Sequence, residues 1–576
     1  MRIITTMRIM ISGLIFALLQ SCAQVNDTRT LAELSPEQLD TQSSELQQAV
    51  AMPDTFAAKV AMDILNKGGN AVDAAIAAHF SLAVTFPEAG NIGGGGFMVI
   101  HFDKENTFID YRETAPQLAH RDMYLDENGE VKTMESLFGI LASGVPGSVS
   151  GMWEAHQKYG SLAWPELVEP AVRLAKDGFV VPEKLAHNVE QYLAQLEKYN
   201  IDVNFSDYFG DMKAGEIFIQ NELGETLERI KQQGIAGFYQ GETASLLVEF
   251  MDKNEGLISA SDLNKYQAKW REPIISNWRE YQLVSSAPPS SGGIAVSQWL
   301  RMYDLVKQRT GSDFNHNSTQ YIHTLSEVGK RVFADRAEYL GDPDFIEVPK
   351  TALLDENYLI ERSSDIQLDA ISNTESIKPG LAESEQTTHF SIVDRFGNAV
   401  SNTTTINLGF GSGMVVEGAG FLLNDEMDDF SVKAGVPNHF GAVGGVANEI
   451  QPNKRMLSSM TPTIVLKDNT LKMVTGSPGG TTILSSVYLS ILNAIEFALP
   501  IQQVVDAPRF HHQLLPKDEI SYHEGLDEKV IRELEAMGYA TTAAEFGDLH
   551  VIVKRNGILE AASESNGRGQ ALVSTH

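Results

Sequence analysis

The hydrophobic pattern of this chain changes from a helical period to a strand period close to residue 387. Between residues 150 and 345, apolar residues recur mostly at helical spacing. Residues 363–386 are rich in Ser, Asp, Glu and Asn, which predicts an exposed loop. After it, polar and apolar residues alternate in 388–394 and 399–405, on either side of a hairpin signal, Gly397-Asn398. A mainly helical segment is therefore followed by paired strands.

Other segments show the same two periods. Paired strands are predicted at 97–101 with 107–111, at 463–466 with 471–475, and at 549–553 with 558–562. Helices are predicted near 57–65, 71–84, 162–177, 223–233, 318–339, 482–497 and 527–537. Strand pairs and helices that occur in blocks indicate an α+β fold, with stacked sheets and helices outside them. We find no internal repeat.

Composition limits the classes of function. The 576 residues include 44 Lys+Arg and 76 Asp+Glu, a formal net charge of −32. Such acidity argues against a nucleic-acid partner, because binding to phosphates requires clustered cations. Hydrophobic residues make up 43% of the chain, enough for a large core. Length alone suggests roughly three or four domain-sized units.

The amino terminus has the pattern of an export signal. Arg2 and Arg8 precede an apolar run, Ile9–Leu19, that is too short to span a bilayer. The following Leu19-Gln20-Ser21-Cys22 resembles a bacterial lipoprotein signal. We therefore predict a signal peptide at 1–21, a lipidated Cys22 and a polar tether at 22–50. The alternative is a plain signal peptide with a chance cysteine.

This assignment has consequences for location and for metals. The anchor would hold the protein on the periplasmic side of a bacterial membrane, and the only membrane contact we expect is through the lipid. Cys22 is the single cysteine of the chain. An intrachain disulfide and a cysteine-based metal site are therefore excluded. We predict no cofactor.

Two glycine clusters could belong to ligand-binding loops. They are Gly93–Gly96 and Gly476-Ser477-Pro478-Gly479-Gly480. Neither has the Lys and Ser/Thr that a phosphate-binding loop requires after its last glycine. Glycine amides can approach a ligand closely and stabilise an oxyanion, and tight turns between strands are the alternative interpretation.

Thr387 has the surroundings of an N-terminal nucleophile. A threonine hydroxyl is a weak nucleophile and needs a base. A free α-amino group, with a pKa of about 7.7–8.0, is partly neutral near pH 7 and can act as that base. Cleavage between Gln386 and Thr387 would put nucleophile and base in one residue. A polar loop that leads into a strand beginning with Thr is the arrangement such a cut requires.

The segment Gln386-Thr387-Thr388-His389 resembles the processing site of γ-glutamyltranspeptidases, which are N-terminal-nucleophile hydrolases. The resemblance runs from about residue 50 to the C-terminus. It is carried further by Gly90–Phe97, Asp110–Glu113, Asn424–Phe430, Pro452–Met460 and Gly476–Gly480.

The resemblance implies a four-layer αββα sandwich formed jointly by two chains of one precursor. The large chain would be 51–386 with its tether, and the small chain 387–576. It also implies cleavage of γ-glutamyl amides such as glutathione through a Thr387 acyl-enzyme, with water or the amine of an amino acid or peptide as acceptor.

The same resemblance implies roles for individual residues. Thr405 would position the Thr387 hydroxyl, and the amides of Gly479 and Gly480 would bind the oxyanion. The substrate's α-carboxylate would bind Arg112, Ser458 and Ser459, because a guanidinium and hydroxyls complement it. Its α-ammonium would bind Asn407, Glu426 and Asp429.

Neighbouring polar residues have simpler interpretations. We predict structural roles for Asp428 and for His389, because the α-amine already supplies the base. His511-His512 resembles a metal pair, but adjacent strand residues point to opposite faces, so we predict no metal site. Residues 431–449 resemble the family's lid, with Phe440 where some relatives have tyrosine. Phenylalanine cannot donate a hydrogen bond to Asn407, so lid closure would depend on other contacts.

Two other functions are open at this point. One is an acylase of the same superfamily that cleaves glutaryl amides such as a β-lactam side chain. Glutaryl lacks the α-ammonium, so the acidic residues Glu426 and Asp429 favour glutamyl. The other is a lipid-anchored solute-binding protein without catalysis, which would not need a threonine after a cleavable loop.

Overall fold

The structure, a computed structural model, describes residues 47–132, 134–377, 387–432 and 445–575. Within these residues the strands are β1 (Gln47–Met52), β2 (Gly95–Phe102), β3 (Glu105–Asp110), β4 (Phe179–Val180), β5 (Ile217–Phe218), β6 (Lys269–Arg271), β7 (Ile274–Trp278), β8 (Tyr281–Ser285), β9 (Thr387–Val393), β10 (Ala399–Thr405), β11 (Thr463–Lys467), β12 (Thr470–Thr475), β13 (Phe510–His511), β14 (Glu519–Tyr522), β15 (Ala540–Ala543), β16 (His550–Arg555), β17 (Ile558–Ser563) and β18 (Gln570–Thr575).

The α-helices in the same residues are α1 (Thr55–Asn66), α2 (Ala71–Thr85), α3 (Ser148–Tyr159), α4 (Trp164–Lys176), α5 (Glu183–Tyr199), α6 (Phe205–Phe209), α7 (Asn221–Gln233), α8 (Ala236–Tyr239), α9 (Gly241–Lys253), α10 (Ala260–Lys265), α11 (Gly292–Thr310), α12 (Thr319–Tyr339), α13 (Lys350–Leu353), α14 (Glu356–Ser363), α15 (Thr482–Ile491), α16 (Ile501–Asp506) and α17 (Glu528–Met537). In the described part of the chain, no helix combines the length and apolar character needed to cross a membrane.

Two large sheets form the centre of the molecule. One has seven strands in the order β18-β1-β9-β10-β2-β3-β6, and the other has six in the order β17-β16-β12-β11-β8-β7. Both sheets contain strands from before and after residue 386. The sandwich is therefore built jointly from the two segments that the sequence analysis separates at that point.

Alternation along the strands explains why the sheets stack. In β1, Val50 and Met52 pack with the core of helices α1, α2 and α4 on the outer face of the seven-stranded sheet. Ala49 and Ala51 point the other way, into the core shared with the six-stranded sheet and helices α11 and α15. Both faces of each sheet are covered, which gives four layers and confirms the predicted α+β sandwich.

The first two helices begin where short polar side chains accept backbone hydrogen bonds. The Asp54 carboxylate accepts from the amides of Phe56 and Ala57 at 2.9 Å and caps α1. Asn70 and Asp73 form a capping box at the start of α2. All residues of α2 are buried, because its alanine-rich sequence allows close packing on every side.

Two boundaries differ from the sequence-based prediction. Residues 47–50 were included in the tether, but they form most of β1, which lies between β18 and β9. This strand has small residues on one face and therefore shows weak alternation. The predicted helix 482–497 ends at Ile491 and continues as a π-turn, Leu492–Glu496.

Candidate active site

Thr387 and Thr405 face each other across two neighbouring strands. Thr387 is the first residue of β9, and its register partner is Thr405, the last residue of β10. Directly opposed side chains of an antiparallel pair lie on one face, with Cβ atoms about 5 Å apart. Thr387 is half-buried and Thr405 is buried. The strand ends thus place two hydroxyl-bearing residues side by side.

A network of amide side chains holds this end of β10. The Asn91 amide donates to the carbonyl oxygen of Thr405 at 2.9 Å and accepts from the amide of Gly94 at 3.0 Å. The Thr405 hydroxyl oxygen accepts from the backbone N–H of Asn407 at 2.8 Å. The Asn407 Nδ2 donates to the carbonyl oxygen of Asp425 at 3.0 Å, which leaves its Oδ1 as the acceptor for a ligand.

Arg112 lies at the centre of a buried charge cluster. Its Nη1 donates to Glu426 Oε1, and its Nη2 donates to Asp429 Oδ2. Glu113 Oε2 lies 3.5 Å from Nη1. The Arg112 side chain is fully buried, so these pairings are shielded from water. A zwitterionic ligand can replace these contacts charge for charge, because one guanidinium and two carboxylates complement a carboxylate and an ammonium.

Burial and mutual charge shift the pKa values in this cluster. Burial by itself would lower the pKa of Arg112, but the carboxylates of Glu426 and Asp429 raise it above its ordinary value. Burial raises the pKa of Glu426 well above its usual range and raises that of Asp429, with Arg112 opposing both shifts. Burial also raises the pKa of Glu113 to about 7. The buried acids are thus balanced mainly by Arg112, and the buried Arg336 guanidinium also acts on Asp429.

Two asparagines to which the sequence analysis assigned no role support the cluster. Asn424 donates from Nδ2 to the carbonyl oxygens of Gly93 and Gly144, both at 2.8 Å. It also accepts from the amide of Glu426 at 3.1 Å and so fixes the start of the 3₁₀ turn Glu426–Asp429. Asn448 donates to the carbonyl oxygen of Asp429 at 2.6 Å and accepts from the amide of Leu457 at 2.9 Å.

The serine pair, Ser458 and Ser459, directly follows Leu457, whose carbonyl oxygen lies near Arg112. Arg112 Nη2 lies 3.4 Å from the carbonyl oxygen of Leu457. The Ser458 hydroxyl oxygen accepts from the amide of Met460 at 3.2 Å and keeps its own proton for a ligand. The Ser459 hydroxyl is buried and has no hydrogen-bond partner among the described residues. This hydroxyl is therefore available to donate to a ligand.

Gly479 and Gly480 form the turn that leads into α15. Their φ angles are +123° and +56°, a region that side chains disfavour. A Cβ atom on Gly479 would lie 2.3 Å from the Thr482 Oγ1. The turn lies at a helix N-terminus, where backbone amides and the helix dipole favour negative charge.

A cavity of about 510 Å³ opens beside the nucleophile candidate. Thr387, Pro478 and Gly479 form part of its wall. The rest of the wall is polar or aromatic and consists of Phe86, Glu88, Lys184, Asn188, Glu545, Phe546, Gly547, Asp548, Glu564, Asn566, Gly567 and Arg568. Thr387 therefore borders a space large enough for a small ligand.

Comparison with protein families gives a match over almost the whole described chain. A sequence model of the family described as Gamma-glutamyltranspeptidase matches residues 57–574. The chain belongs to the γ-glutamyltranspeptidase family.

Relatives in this family are similar over most of their length. The "Glutathione hydrolase proenzyme" of Pseudomonas aeruginosa is 52% identical over 91% of this chain and 94% of its own. The protein of the same name from Escherichia coli K12 is 44% identical, over 87% of this chain and 86% of its own.

Solved structures show the same fold. The cephalosporin acylase from Bacillus halodurans superposes with a TM-score of 0.80 at 26% identity, over 91% of this chain and 95% of that one. The γ-glutamyltranspeptidase from Pseudomonas nitroreducens complexed with L-DON gives a TM-score of 0.55 at 51% identity, over 57% of this chain and 97% of that one.

Three residues expected to matter in this γ-glutamyltranspeptidase family member lie outside the described residues. They are Gln386 at the expected cleavage point, Phe440 in the expected lid and Cys22 at the expected lipidation point. The chain segment that follows the expected lid is described. Its 3₁₀ turn, Val446–Asn448, carries the Asn448 contacts to Asp429 and Leu457.

The remaining polar residues have contacts away from the Thr387 hydroxyl. Asp428 accepts from the Ser136 hydroxyl at 2.6 Å, and burial raises its pKa to about 7. His389 lies in the core with Thr403 Oγ1 2.9 Å from its Nδ1, and burial holds its pKa well below the ordinary value. A neutral histidine in that position packs between the sheets.

The adjacent histidines of the metal-pair pattern have separate partners. His511 Nδ1 lies 2.7 Å from the Ser485 hydroxyl oxygen, and His512 Nδ1 lies 2.6 Å from the carbonyl oxygen of Glu519. No group of three or more His, Cys, Asp or Glu side chains suited to a metal occurs in the described ranges.

The first glycine cluster has a packing function. A Cβ on Gly93 or Gly94 would lie 2.1 Å or 2.2 Å from the carbonyl oxygens of Leu422 and Thr405. Gly95 and Gly96 begin β2. These glycines let the chain approach the end of β10 closely.

Proposed function

We propose that this chain is a self-cleaving precursor whose small chain begins at Thr387, and that it transfers or hydrolyses γ-glutamyl groups. The observation that carries the proposal is the position of Thr387, which is paired in register with Thr405 and lines an open cavity. The buried Arg112–Glu426–Asp429 cluster supplies charges suited to a zwitterion. Family membership and relatives named glutathione hydrolase proenzyme support glutathione and related γ-glutamyl compounds as substrates.

Maturation consumes one peptide bond. The Thr387 hydroxyl oxygen attacks the carbonyl carbon of Gln386, and the bond from that carbon to the Thr387 nitrogen breaks to give an ester. Water then hydrolyses the ester. The products are a Gln386 carboxylate and a Thr387 residue with a free α-amine and a free hydroxyl.

Catalysis uses the new amine as the base. It takes the proton of the Thr387 hydroxyl while the oxygen attacks the γ-carbonyl carbon of the donor. The amides of Gly479 and Gly480 stabilise the oxyanion, and Thr405 positions the attacking oxygen. The leaving amine takes the proton, and an acyl ester remains. Water or an acceptor amine attacks this ester and restores the hydroxyl.

The Arg112 cluster selects the glutamyl end of the donor. Arg112, Ser458 and Ser459 bind its α-carboxylate, and Asn407, Glu426 and Asp429 bind its α-ammonium. The unpartnered Ser459 hydroxyl supports this assignment, because a buried hydroxyl without a partner is costly until a ligand accepts its proton. The cavity beside Thr387 receives the leaving group and then the acceptor.

The acylase alternative is supported by the structural similarity to a cephalosporin acylase. The Glu426 and Asp429 carboxylates disfavour it, because a glutaryl group has no ammonium to pair with them. Comparing γ-glutamyl and glutaryl anilides decides between the two. We expect kcat/KM to be higher for the γ-glutamyl compound, and a preference for the glutaryl compound would make the acylase the correct assignment.

The cleavage itself is tested by mass and sequence. We expect the purified protein to contain two polypeptides, with the smaller one beginning Thr387-Thr388-His389. Active material consisting of one uncut chain would contradict the proposal. The solute-binding alternative predicts one intact chain without activity.

Export and lipid anchoring complete the proposal. Intact-mass analysis should find acyl groups on Cys22 in the large chain, and the enzyme should sediment with membranes. Cys22→Ser should release it into the soluble fraction. Continued sedimentation of this variant would show that another feature holds the protein at the membrane.

A further inference from the structure

We propose that the end of the β-sandwich opposite Thr387 is a membrane-facing surface that rests on an anionic bilayer through Phe396. The contact surface, which we call the anchor-side patch, consists of Lys67, Lys104, Arg395 and Phe396. This inference goes beyond the proposed catalytic function and rests on the proposed lipid anchor at Cys22.

The strands define two ends of the seven-stranded sheet. Thr387 and Thr405 lie at one end, and the β9–β10 turn at residues 394–398 lies at the other. The β2–β3 turn also lies at this second end, because β10 pairs with β2 in an antiparallel register. Seven residues of β9 separate the two ends, roughly 20–25 Å of strand.

The chain that leads to Cys22 joins the structure at this second end. β1 begins at Gln47 and runs antiparallel to β9, so Gln47 lies on the side of the 394–398 turn. The Gln48 amide donates to Asn66 Oδ1 at 2.7 Å, which places Gln47 beside the last turn of α1. Lys67 follows Asn66 directly. An anchor at Cys22 therefore draws this end toward the bilayer.

The anchor-side patch is apolar and cationic. Phe396 is 70% exposed at the tip of its turn, and the Arg395 guanidinium lies 5.2 Å from the centre of its ring. A Cβ on Gly68 would lie 3.2 Å from the same guanidinium, so Lys67 is close by. The amide of Asp103 donates to Asn398 at 2.9 Å and joins the turn that carries Lys104.

The turn displays Phe396 in a fixed conformation. The Asp394 carboxylate accepts from the amides of Phe396 and Asn398 at 2.9 and 3.0 Å, and the Asp394 carbonyl oxygen accepts from Gly397 at 3.1 Å. A rigid turn that holds an aromatic ring in water gains nothing for folding. Ile558, at the start of β17, is 54% exposed and adds apolar surface at the same end. Its position there follows from the next residue, Leu559, whose amide donates to Gln47 Oε1 at 2.8 Å.

Charge identifies the occupant as an anionic bilayer. The chain carries a net charge of −32, so its surface as a whole is repelled by anionic lipids. Three cations, Lys67, Lys104 and Arg395, lie on the segments around Phe396. The exposed acids of the two turns are Asp103 and Glu105, so cations outnumber exposed acids by one. Aromatic rings are enriched at the headgroup level of a bilayer. Each cation near an anionic bilayer surface strengthens binding to it by about fivefold. A tether raises the local concentration, so a small patch suffices.

This orientation has a functional result. With the 394–398 turn on the bilayer, Thr387 and the cavity beside it point away from the lipid. Small zwitterionic substrates then reach the active site from the aqueous side.

Hydrogen exchange on the native acylated enzyme tests the contact. The enzyme is bound to vesicles of phosphatidylcholine alone or with phosphatidylglycerol, and exchange of peptides covering 394–398 and 103–104 is compared with that of detergent-solubilised enzyme. We expect slower exchange on the anionic vesicles, by about fivefold or more. We expect no change in peptides covering 115–122, at the opposite end of the sheet.

Matched variants separate the patch from general effects of charge. The pair Arg395→Glu and Phe396→Asp should abolish the protection and leave hydrolysis of soluble substrates unchanged. The control pair, Leu118→Asp and Arg121→Glu, likewise replaces one large apolar residue and one arginine with acids, at exposed positions on the other end of the sheet. The control should keep the protection.

The outcomes are distinct. Acylated enzyme without slower exchange on anionic vesicles overturns the patch and leaves the anchor intact. Protection of equal size on neutral and anionic vesicles overturns the role of the cations. Protection without any vesicle shows that the tether or a second copy covers Phe396, which also overturns the proposal. A large chain without acyl mass overturns the anchor on which the patch depends.

Discussion

Thr387 and Arg112 are linked by an unbroken series of contacts. Thr387 is paired in register with Thr405, whose hydroxyl oxygen accepts from Asn407. Asn407 binds Asp425, and Glu426 next along the chain pairs with Arg112. All of these residues except the half-buried Thr387 are buried. The cluster that would bind the substrate and the residue that would attack it therefore form one rigid unit.

Thr387→Ala should leave the precursor as one chain without activity, because both cleavage and catalysis need its hydroxyl. Thr387→Ser should restore cleavage at a lower rate, since serine keeps the nucleophile. The control is Thr388→Val, which removes a buried hydroxyl on the opposite face of β9. It should be processed normally. Denaturing gels and anilide hydrolysis are the measurements, and cleavage of the Ala variant would show that another nucleophile acts.

Arg112→Lys should weaken binding of γ-glutamyl donors, because an ammonium cannot pair with two carboxylates in a planar, forked geometry. Hydrogen bonds to charged groups contribute about 1.5–3 kcal/mol, so kcat/KM should fall by roughly one to two powers of ten. Steady-state kinetics measure the loss, and the melting temperature shows whether the variant folds. Arg121→Lys, on the surface, is the control. Unchanged kcat/KM in a folded Arg112→Lys protein would place the carboxylate site elsewhere.

Gly479→Ala should lower kcat more than it alters KM. The new Cβ would lie 2.3 Å from Thr482 Oγ1, so we expect the turn to shift. The shift would move the Gly479 amide away from the oxyanion that it is proposed to bind. Loss of one oxyanion donor typically costs about 10²–10³ in kcat. Gly538→Ala is the matched control, because Gly538 has a similar φ of +111°, but its added Cβ would meet only Ile371 Cδ1 at an ordinary contact distance of 3.4 Å. Equal losses in both variants would mean that backbone strain alone explains the effect.

Glu113 should make stability depend on pH. Burial raises its pKa from 4.5 to about 7, with Arg112 opposing the shift. Between these values the native state binds more protons than the unfolded state, so the free energy of unfolding falls as the pH rises. Glu113→Gln should therefore flatten the fall in melting temperature between pH 5 and pH 8. Glu105→Gln, at an exposed position, should keep the slope of the unaltered protein. An unchanged slope in Glu113→Gln would show that Glu113 is ionised across the whole range.

Much of the fold could be predicted from local patterns. Alternation in β9 and β10 and the Gly397-Asn398 turn gave the correct hairpin, because one face of each strand must be apolar. Strand β1 was missed at residues 47–50. Its inward-facing residues Ala49 and Ala51 are small, and only the packing of the second sheet against them explains the choice.

The site was predicted in part. Resemblance to the family singled out Arg112 and the segments Asn424–Phe430 and Pro452–Met460. The structure brings them together. The structure added Asn91, Asn424 and Asn448 as supports, whose hydrogen bonds join segments more than 300 residues apart in two cases. It also corrected the glycines at 93–96 from a possible ligand loop to a packing contact.

Patterns in the amino-acid sequence indicated the chemistry: a threonine after a polar loop, paired strands after it, and charged residues suited to a zwitterion. These features are local, because side-chain type and hydrophobic period are properties of neighbouring residues. The three-dimensional structure shows the register that pairs Thr387 with Thr405, the carboxylates that pair with Arg112, and the end of the sheet that carries Phe396. Strand register and the stacking of sheets set those relationships, and they depend on contacts between residues far apart in the chain.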